Sequence, residues 1–511
     1  MYPGTYAAEN PDKLAAVMAG TGETLSYGDL ERRSAQLARV LHDAGLRPGD
    51  VVALVTENNL RAMEVYWAAL RSGLYITAVN YRLKPDEVAY IINDSGATAL
   101  VVSARQAGTA TAIAGPTPAV KIRLAFGGLV PGYGSYEETI AATPATPLDD
   151  QPHGATMLYS SGTTGRPKGV RPQLPGVQVS ELGEAVVGLA QQAFGIGRDA
   201  VYLSPGPIYH AAPLRFCGAT QALGGTVVMM PRFDAEQALA AIAEHEVTHA
   251  QFVPTMFVRM LQLPPGIREK YDVSSLRVAI HAAAPCPVEV KQKMIDWWGP
   301  ILVEYYAGTE SNGMTIIDSA TWLSKPGTVG KPVLGPVRIC DADGTELPAG
   351  QTGVVYFESE TVPFVYHNDP DKTRASQHPQ HPSWTTLGDI GYLDEDGFLF
   401  LTDRRAFTII SGGVNIYPQE TENVLALHPA VYDVAVIGVP DPEMGESVAA
   451  FIQPAPGTVP GPELEQEIIA FVKSKIAGFK APRTVRFVDQ LPRSEAGKLM
   501  KGQLKARYAK A

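Results

Sequence analysis

The stretch Tyr159–Gly169 holds the side chains best suited to binding phosphate. It reads YSSGTTGRPKG, with four Ser or Thr hydroxyls, three glycines and two cations at the end of the apolar run ATMLY. Glycines let backbone N–H groups approach phosphate oxygens, hydroxyls add donors, and Lys168 adds a point charge. It is not a Walker A loop, because Pro167 precedes the lysine and a glycine follows it. A plain Ser/Thr/Gly linker is the alternative, although linkers rarely end in RPKG. The predicted phosphate-binding residues are Ser160, Ser161, Gly162, Thr163, Thr164, Gly165 and Lys168.

The segments that must position this loop alternate between helices and buried strands. Apolar residues at helical spacing are followed repeatedly by short, continuous apolar runs. This alternation predicts an α/β body with a largely parallel sheet. The predicted helix and strand pairs are Leu30–Ala44 with Val51–Val55, Ala62–Ser72 with Leu74–Val79, and Asp86–Asp94 with Thr98–Val102.

After about residue 330 the pattern becomes rich in strands and turns. The tetrapeptides DADG (341–344) and DEDG (394–397) lie between apolar segments and predict hairpins, because glycine accepts positive φ. A compact α+β pattern begins at Arg404. We therefore predict a body over residues 1–403 and a small domain over 404–511. Its predicted elements are helix Gln419–Leu427, strands Val431–Gly438 and Ser447–Pro454, and helix Pro462–Ile476.

Composition and charge restrict the kind of partner. The 511 residues carry 42 Lys and Arg against 53 Asp and Glu, a formal charge of -11 that argues against a general nucleic-acid binder. Residues 404–511 carry +2, so residues 1–403 carry -13. From Lys473 onward, 11 basic residues stand against 2 acidic ones. This end of the chain predicts a place for an anionic partner, unless it is merely solvated.

Cysteine usage and hydropathy indicate a cytoplasmic protein. Cys217, Cys286 and Cys340 are too widely spaced for a disulfide framework or a CxxC metal site, so we expect buried thiols in a reducing compartment. The N-terminal residues lack the basic start and apolar run of a signal peptide. Because no run approaches about 18 consecutive apolar residues, we expect no transmembrane segment.

Six motifs in order resemble those of the adenylate-forming superfamily, which includes acyl-CoA synthetases, nonribosomal-peptide adenylation domains and beetle luciferases. The phosphate loop is the first of them. The others are Tyr305–Glu310 (YYAGTE), Gly388–Tyr392 (GDIGY), Asp403 with Arg404, Ser411–Pro418 (SGGVNIYP) and Pro492–Lys498 (PRSEAGK). The chain most resembles the acyl-CoA synthetase, or fatty-acid–CoA ligase, branch. That resemblance implies a large α/β body with a β-rich section and a small, mobile C-terminal lid.

The resemblance also implies ATP, Mg²⁺ and CoA. A carboxylate would attack the α-phosphate of ATP, releasing pyrophosphate, and CoA would then displace AMP from the acyl-adenylate. Because two anions meet in the first step, the site must supply positive charge. By resemblance, Lys498 bridges the carboxylate and the α-phosphate; a solvated surface lysine is the alternative. Glu310 would hold Mg²⁺ with the Ser160 hydroxyl, because this ion needs few carboxylates beside phosphate oxygens and water.

For the nucleoside, the resemblance places Asp389 and Arg404 at the ribose hydroxyls. Adenine would lie between the Tyr306 region and the small residues of the segment His281–Pro285. A turn-capping role is the alternative for Asp389, which lies between Gly388 and Gly391. The implied nucleotide-binding residues are Tyr306, Thr309, Asp389, Arg404, Ala283 and Ala284.

The acyl and CoA sites are less specified by the sequence. His210, at the end of Pro207–His210, would line the carboxylate side of the acyl pocket, or be purely structural. Ala307 and Gly308 leave room for a sizeable acid. Gly412 and Gly413 match the glycines of the family's pantetheine tunnel. The residues that would meet the phosphates of CoA, as a patch, are Lys473, Lys475, Lys480 and Arg483.

One departure from the family concerns the hinge of the lid. Ala406 occupies the hinge position, where the family has Asp or Lys, and Val414 replaces a Glu beside the tunnel. A hinge need not be charged, because it only absorbs a change in φ and ψ. Adenylation should therefore survive, and the effect on lid rotation is open.

The resemblance implies an enzyme that ligates a carboxylic acid, fatty or bulky and hydrophobic, to CoA. The nearest alternative loads a carrier protein or another acceptor. Luciferase-like oxidation shares these motifs. A catalytically silent nucleotide-binding protein is disfavoured, because Lys498, Glu310, Asp389 and Arg404 occur together. Homodimers are common in the family, but no exposed apolar stripe in the sequence indicates one.

Overall fold

The computed structural model describes residues 1–160, 167–404, 407–411, 414–493 and 499–508, with only the backbone of Ser160, Asp403 and Arg404. The contacts divide the chain into two units. The first unit comprises Met1–Phe252, Gln262–Ile280 and Phe364–Thr373, and the second comprises Val253–Leu261, His281–Pro363 and Arg374–Ala511.

Helices and strands alternate through the first half of the chain, and strands predominate after it. The helices are α1 Pro3–Glu9, α2 Tyr27–Asp43, α3 Arg61–Leu70, α4 Pro85–Asp94, α5 Ala107–Ala114, α6 Tyr136–Ala141, α7 Ala185–Phe194, α8 Ala211–Ala222, α9 Ala235–Glu244, α10 Pro254–Leu261, α11 Pro265–Arg268, α12 Val288–Trp298, α13 Ser319–Ser324, α14 Pro370–Ala375, α15 Pro418–Leu425, α16 Pro462–Lys475 and α17 Lys501–Tyr508. The strands are β1 Leu14–Met18, β2 Thr24–Ser26, β3 Val51–Val55, β4 Tyr75–Val79, β5 Ala97–Ser103, β6 Ile122–Phe126, β7 Gly134–Ser135, β8 Ala155–Thr156, β9 Leu158–Ser160, β10 Lys168–Arg171, β11 Val201–Ser204, β12 Thr226–Met229, β13 His249–Phe252, β14 Val278–His281, β15 Leu302–Ala307, β16 Met314–Asp318, β17 Lys331–Leu334, β18 Val337–Cys340, β19 Gly353–Phe357, β20 Val365–Tyr366, β21 Asp389–Leu393, β22 Leu399–Arg404, β23 Ile409–Ser411, β24 Val414–Ile416, β25 Val431–Asp441, β26 Gly445–Pro454 and β27 Thr484–Phe487.

The first unit is built on parallel sheets, which confirms the predicted α/β class. One sheet has the order β7-β6-β5-β3-β4-β8, and its neighbouring strands pair in parallel. A second sheet places β14, β13, β11, β12, β1 and β2 side by side, with β1, β11, β12 and β13 parallel. Every residue of β3 and β4 is buried, as continuous apolar runs predict.

Local signals set the ends of the helices. The Ser26 hydroxyl accepts the backbone N–H of Asp29, so α2 begins at Tyr27, three residues before the predicted Leu30. Pro85 begins α4, because its fixed φ suits the first helical position and its missing N–H costs nothing there. The predicted strand Val51–Val55 is confirmed in full.

The strand-rich section lies in the second unit. Strands β15, β16 and β17 pair antiparallel, and a separate antiparallel sheet has the order β18-β19-β21-β22. Both predicted turns are confirmed: Gly344 and Gly397 have φ of +88° and +80°. The Gly397 N–H donates to the Asp394 carbonyl over 3.0 Å and closes the turn between β21 and β22.

The C-terminal section of the second unit contains its own sheet and core. The sheet order is β24-β23-β26-β25, and β27 pairs in parallel with β26. Helices α15 and α16 cover this sheet through buried residues that include Leu425, Ile468 and Val472. The four elements predicted in this section are confirmed within three residues at each end.

The three thiols are free, with Cys217 and Cys340 buried. Within the described residues, no helix is both long and apolar enough to span a bilayer.

Candidate functional site

The predicted phosphate loop connects β9 to β10 in the first unit. These strands pair antiparallel with Ser160 opposite Lys168, so Lys168 lies where the chain leaves the loop. The loop itself, residues 161–166, and the side chain of Ser160 lie outside the described part of the chain. The predictions for these positions therefore remain predictions: Ser160, Ser161, Gly162, Thr163, Thr164 and Gly165.

Lys168 contacts a carboxylate that is remote in sequence. Its Nζ lies 2.9 Å from Oδ2 of Asp369 and 6.0 Å from the ring centroid of Tyr366. The hydrogen bond from Lys168 lowers the pKa of the Asp369 carboxyl group. The two side chains of the pair are 23% and 33% exposed, so water screens their attraction only in part. The lysine of the phosphate loop is thus ion-paired with Asp369.

Tyr159, which precedes the loop, is connected to the same remote segment through Asp94. The Tyr159 hydroxyl donates to Oδ2 of Asp94 over 2.6 Å, and the Asn368 amide donates to Oδ1 and to the backbone carbonyl of Asp94, each over 3.3 Å. Burial, and then the bond to Asp94, raise the pKa of Tyr159, so its phenol stays protonated. Lys168, after the phosphate loop, therefore contacts the segment 366–369 directly, and Tyr159, before the loop, is linked to that segment through Asp94.

Sequence reasoning did not single out Asp369. The sequence Asn368-Asp369-Pro370 does carry a signal, because Asp before a proline is typical of a helix N-terminus. That signal predicts α14, but it does not predict an ion pair with a residue about 200 positions away.

A buried amide holds the segment that carries His210. The Asn58 Nδ2 donates to the carbonyls of Gly206 (2.9 Å) and Met230 (2.7 Å), and its Oδ1 accepts the N–H of Ile208 over 2.9 Å. Asn58 is 6% exposed. His210 is the N-cap residue of α8, and its ring packs 4.5 Å from that of Tyr209. Asn58 was also missed, because asparagine is an ordinary residue in a loop such as the one that follows β3.

In the second unit the structure brings three predicted nucleotide-binding residues together. The Tyr306 hydroxyl donates to Oδ2 of Asp389 over 2.6 Å, and the Tyr306 ring stacks on Phe357 with centroids 5.9 Å apart. Asp389 begins β21 and lies opposite Arg404 of β22. An aromatic ring, a carboxylate and the backbone of an arginine thus meet at one end of this sheet.

Glu310 follows β15 in a tightly packed turn. At Gly308, an added Cβ would lie 2.5 Å from Cδ1 of Leu387 and 2.8 Å from Oε2 of Glu310, so a larger residue would displace one of these side chains. Ala307 ends β15, and Thr309 lies between Gly308 and Glu310. Within the described residues, no group of three or more His, Cys, Asp or Glu is placed to hold a metal ion.

The small-residue segment His281–Pro285 contains a strained backbone. Ala283 has φ of +74°, a left-handed conformation that disfavours residues with a side chain. Strain of this kind is concentrated at binding sites, where the surrounding structure imposes it. Ala283 and Ala284 thus belong to a loop whose shape is specified by its neighbours rather than by local preference.

A buried ion pair supports the start of this segment. Nζ of Lys291 lies 2.6 Å from Oε2 of Glu304, and Nε2 of His281 lies 3.7 Å from the same oxygen. Burial, and then the charge of Lys291, lower the pKa of His281 well below its usual value, so the ring is neutral near pH 7. The pair joins α12 to β15 two residues before Tyr306, and His281 is the last residue of β14.

The predicted lid residues lie largely outside the described part of the chain. This applies to Ala406, Gly412, Gly413 and Lys498. Their flanks are defined: Ser411 pairs with Val414 at the ends of β23 and β24, and Arg493 forms a bridge with Leu499. Each of the two predicted functional segments is thus held at both of its ends.

Part of the basic patch is neutralised locally. Lys480 pairs with Glu420, and Arg483 lies 3.3 Å from Asp441. Lys473 and Lys475, in the last turn of α16, are exposed. The positive charge of this segment is therefore less available to an anion than the sequence count suggests.

Comparisons with known proteins agree with these features. The family model "AMP-binding enzyme" matches residues 5–367, and the model "AMP-binding enzyme C-terminal domain" matches residues 420–498. A feruloyl-CoA synthase from Amycolatopsis sp is 33% identical over 99% of this chain and 98% of its own length. The fatty acid–[acyl-carrier-protein] ligase ScoC from Streptomyces coeruleorubidus is 32% identical, over 99% and 95%.

A solved structure shows the same fold. The ATP-bound MatB from Rhodopseudomonas palustris superposes with a TM-score of 0.81 at 28% identity, covering 100% of this chain and 99% of MatB. The two family models together match most of the chain. They include three of the six motifs, namely the phosphate loop, Tyr305–Glu310 and Pro492–Lys498, and the other three motifs lie between the two matched ranges. The predicted resemblance is confirmed, and the chain belongs to the AMP-binding enzyme family of adenylate-forming enzymes.

Proposed function

We propose that this protein ligates a carboxylic acid to CoA in an ATP-dependent reaction that passes through an acyl-adenylate and releases AMP and pyrophosphate. The observation that carries the proposal is the cluster of Tyr306, Asp389 and the Arg404 backbone. It supplies an aromatic face and a carboxylate that accepts hydroxyl donors, which suit adenine and ribose. Family membership over nearly the whole chain supports the same conclusion.

In the first step the substrate carboxylate attacks the α-phosphate of ATP and expels pyrophosphate. Asp389 would accept the ribose hydroxyls, and Lys168 would bind the triphosphate as a point charge. Glu310 would hold Mg²⁺ together with phosphate oxygens, and this ion would offset part of the negative charge of the triphosphate. Lys498 would neutralise the charge that develops between the two anions.

In the second step the CoA thiol attacks the acyl carbonyl and AMP leaves. We assign the body to residues 1–403 and the lid to 404–511, with Ala406 as the hinge that exchanges Lys498 for the loop carrying Gly412 and Gly413. Glycines suit that loop because the pantetheine arm must pass close to the backbone. Of the basic patch, Lys473 and Lys475 are exposed and lie outside the two ion pairs described above, so they would be the first to meet the phosphates of CoA.

The acid is proposed to be hydrophobic, either fatty or bulky and cyclic. By resemblance to the family, Ala307 and Gly308 would line the acyl pocket, and His210 would lie beside the carboxylate. The names of the relatives include both a feruloyl-CoA synthase and a fatty-acid ligase. This range of acids makes a panel of substrates the appropriate test.

The second candidate function differs only in the acceptor. The relative ScoC is named as an acyl-carrier-protein ligase, so a carrier thiol in place of CoA is the specific alternative. We favour CoA, because relatives such as the feruloyl-CoA synthase, a 2-succinylbenzoate–CoA ligase from Bacillus licheniformis and a long-chain-fatty-acid–CoA ligase from Mycobacterium tuberculosis are named for a CoA product. A cytoplasmic location, supported by three free thiols, and a homodimer are further proposals.

Acid-dependent exchange of labelled pyrophosphate into ATP tests the adenylation step. The panel should contain fatty acids of graded length and aromatic acids with graded substitution. We expect exchange that requires one class of acid and Mg²⁺. Nucleotide binding without exchange, for every acid in the panel, would identify a silent binder and contradict the proposal.

A further inference from the structure

A ten-residue segment of the chain adds a third strand to the sheet formed by the two strands that flank the phosphate loop. Phe364–Thr373 belongs to the first unit, although the residues on either side of it belong to the second. Its strand β20 pairs antiparallel with β10, with Tyr366 opposite Val170, and the His367 N–H donates to the Gly169 carbonyl over 2.8 Å. This pairing is what places Asp369 within reach of Lys168.

The carboxylate of Asp369 is fixed by its own helix. Its Oδ1 accepts the backbone N–H of Lys372 over 2.9 Å, in the first turn of α14. Its Oδ2 lies 2.9 Å from Nζ of Lys168. One oxygen therefore anchors the side chain and the other is directed at the lysine. Because Asn is as good a helix cap as Asp, replacing Asp369 by Asn keeps the anchor and removes only the charge.

We propose that Asp369 is a positioning residue for Lys168, which it holds in place to receive the triphosphate of ATP. This inference rests on the proposed function. The lysine ammonium is carried on a flexible four-carbon stem, and ordering it on binding costs free energy. A carboxylate that already orders it reduces that cost. An ammonium has three N–H donors, so one bond to Asp369 leaves two for phosphate oxygens.

The test compares Asp369→Asn with the wild-type protein. Affinity for MgATP is measured by calorimetry in the absence of any acid, and KM and kcat are measured in pyrophosphate exchange. We expect ATP to bind about threefold to tenfold more weakly in Asp369→Asn, with kcat changed less than about twofold. Asp369→Glu keeps the charge and should recover part of the affinity. Asp149→Asn, at an exposed carboxylate of the first unit, should bind ATP like the wild type.

A double-mutant cycle with Lys168→Ala decides whether the two side chains act together. We expect Asp369→Asn to have little further effect once Lys168 is removed. The inference is wrong if the two effects add, if Asp369→Asn leaves ATP affinity unchanged, or if it tightens ATP binding, which would mean that Asp369 competes with phosphate. Because ATP binding is measured without acid, the inference can fail while adenylation stands. Failure of every acid to support exchange would instead count against the proposed function.

Discussion

Tyr306 and Asp389 show how two side chains of the proposed nucleotide site orient each other. The Tyr306 hydroxyl occupies one carboxylate oxygen of Asp389 at 2.6 Å, and the ring of Tyr306 is held by Phe357. Sequence reasoning found both residues through their motifs. It did not find their contact, because they are 83 positions apart and meet through the packing of two different sheets.

Removing this hydroxyl should weaken both the fold and nucleotide binding. Tyr306→Phe keeps the ring and its stacking but deletes a hydrogen bond to a charged group, a loss of about 1.5 to 3 kcal/mol in the free energy of unfolding. We also expect KM for ATP to rise more than kcat changes, because Asp389 is less well oriented for ribose. Urea unfolding and pyrophosphate exchange check the two effects. If Tyr306→Phe changed neither the free energy of unfolding nor KM for ATP, the contact between Tyr306 and Asp389 would support neither the fold nor nucleotide binding.

Asn58 stabilises the fold through the backbone groups that its side chain binds. It satisfies three backbone groups at 206, 208 and 230. Asn58→Asp has almost the same shape but faces two carbonyl oxygens with a carboxylate. We expect the free energy of unfolding to fall by about 2 to 4 kcal/mol. KM for the acid should also rise, because the segment that ends at His210 loses its support.

The neighbouring residue offers a matched control. Asn59 accepts the backbone N–H of Arg61 through its Oδ1, a role that Asp can also fill. Asn59→Asp should therefore stay within about 0.5 kcal/mol of the wild type. Equal losses in the two variants, measured by urea unfolding, would contradict the special role of Asn58.

Among the elements, those predicted from periodicity agree with the structure because their signals are local. Strand β3 is an uninterrupted apolar run, and α16 begins at Pro462 as expected. Strand β20 was not predicted, since it is two residues long and is defined only by its pairing with β10. The contact of Asp369 with Lys168 depends on that pairing, so it was equally invisible in the sequence.

The turn after β14 shows the reverse case, in which local preference is overruled. Ala283 adopts φ of +74°, at a cost of about 1 to 2 kcal/mol for a residue with a side chain. Ala283→Gly relieves this cost but gives the unfolded chain more freedom, worth about 0.5 to 1 kcal/mol. We therefore expect a net gain of about 0.5 to 1 kcal/mol in the free energy of unfolding.

At the adjacent Ala282, the same substitution to glycine should change the free energy of unfolding in the opposite direction. Ala282 is buried and is not among the residues with positive φ, so Ala282→Gly should lower stability by about 0.5 to 1 kcal/mol. Thermal or urea unfolding of the two variants measures the contrast. A loss of stability in both would mean that the left-handed turn at Ala283 is not strained.

For the molecule as a whole, the difference in net charge between residues 1–403 and residues 404–511 overstates how much positive charge is available to bind an anion. The sequence separates a body of -13 from a C-terminal section of +2. Part of the positive charge within that section is neutralised by ion pairs, such as Lys480 with Glu420 and Lys505 with Glu446. Charge counts predicted where cations concentrate, but pairing in three dimensions decides which of them are available.

Formation of acyl-CoA is the measurement that tests the central claim most directly. The protein is incubated with ATP, Mg²⁺ and the acid that supports the fastest pyrophosphate exchange, together with either CoA or a phosphopantetheinylated carrier protein. Mass spectrometry then follows the thioester and AMP. We predict acyl-CoA and AMP in equal amounts, and neither product above background with Lys498→Ala. Acylation of the carrier without acyl-CoA, or full activity in Lys498→Ala, would contradict the account.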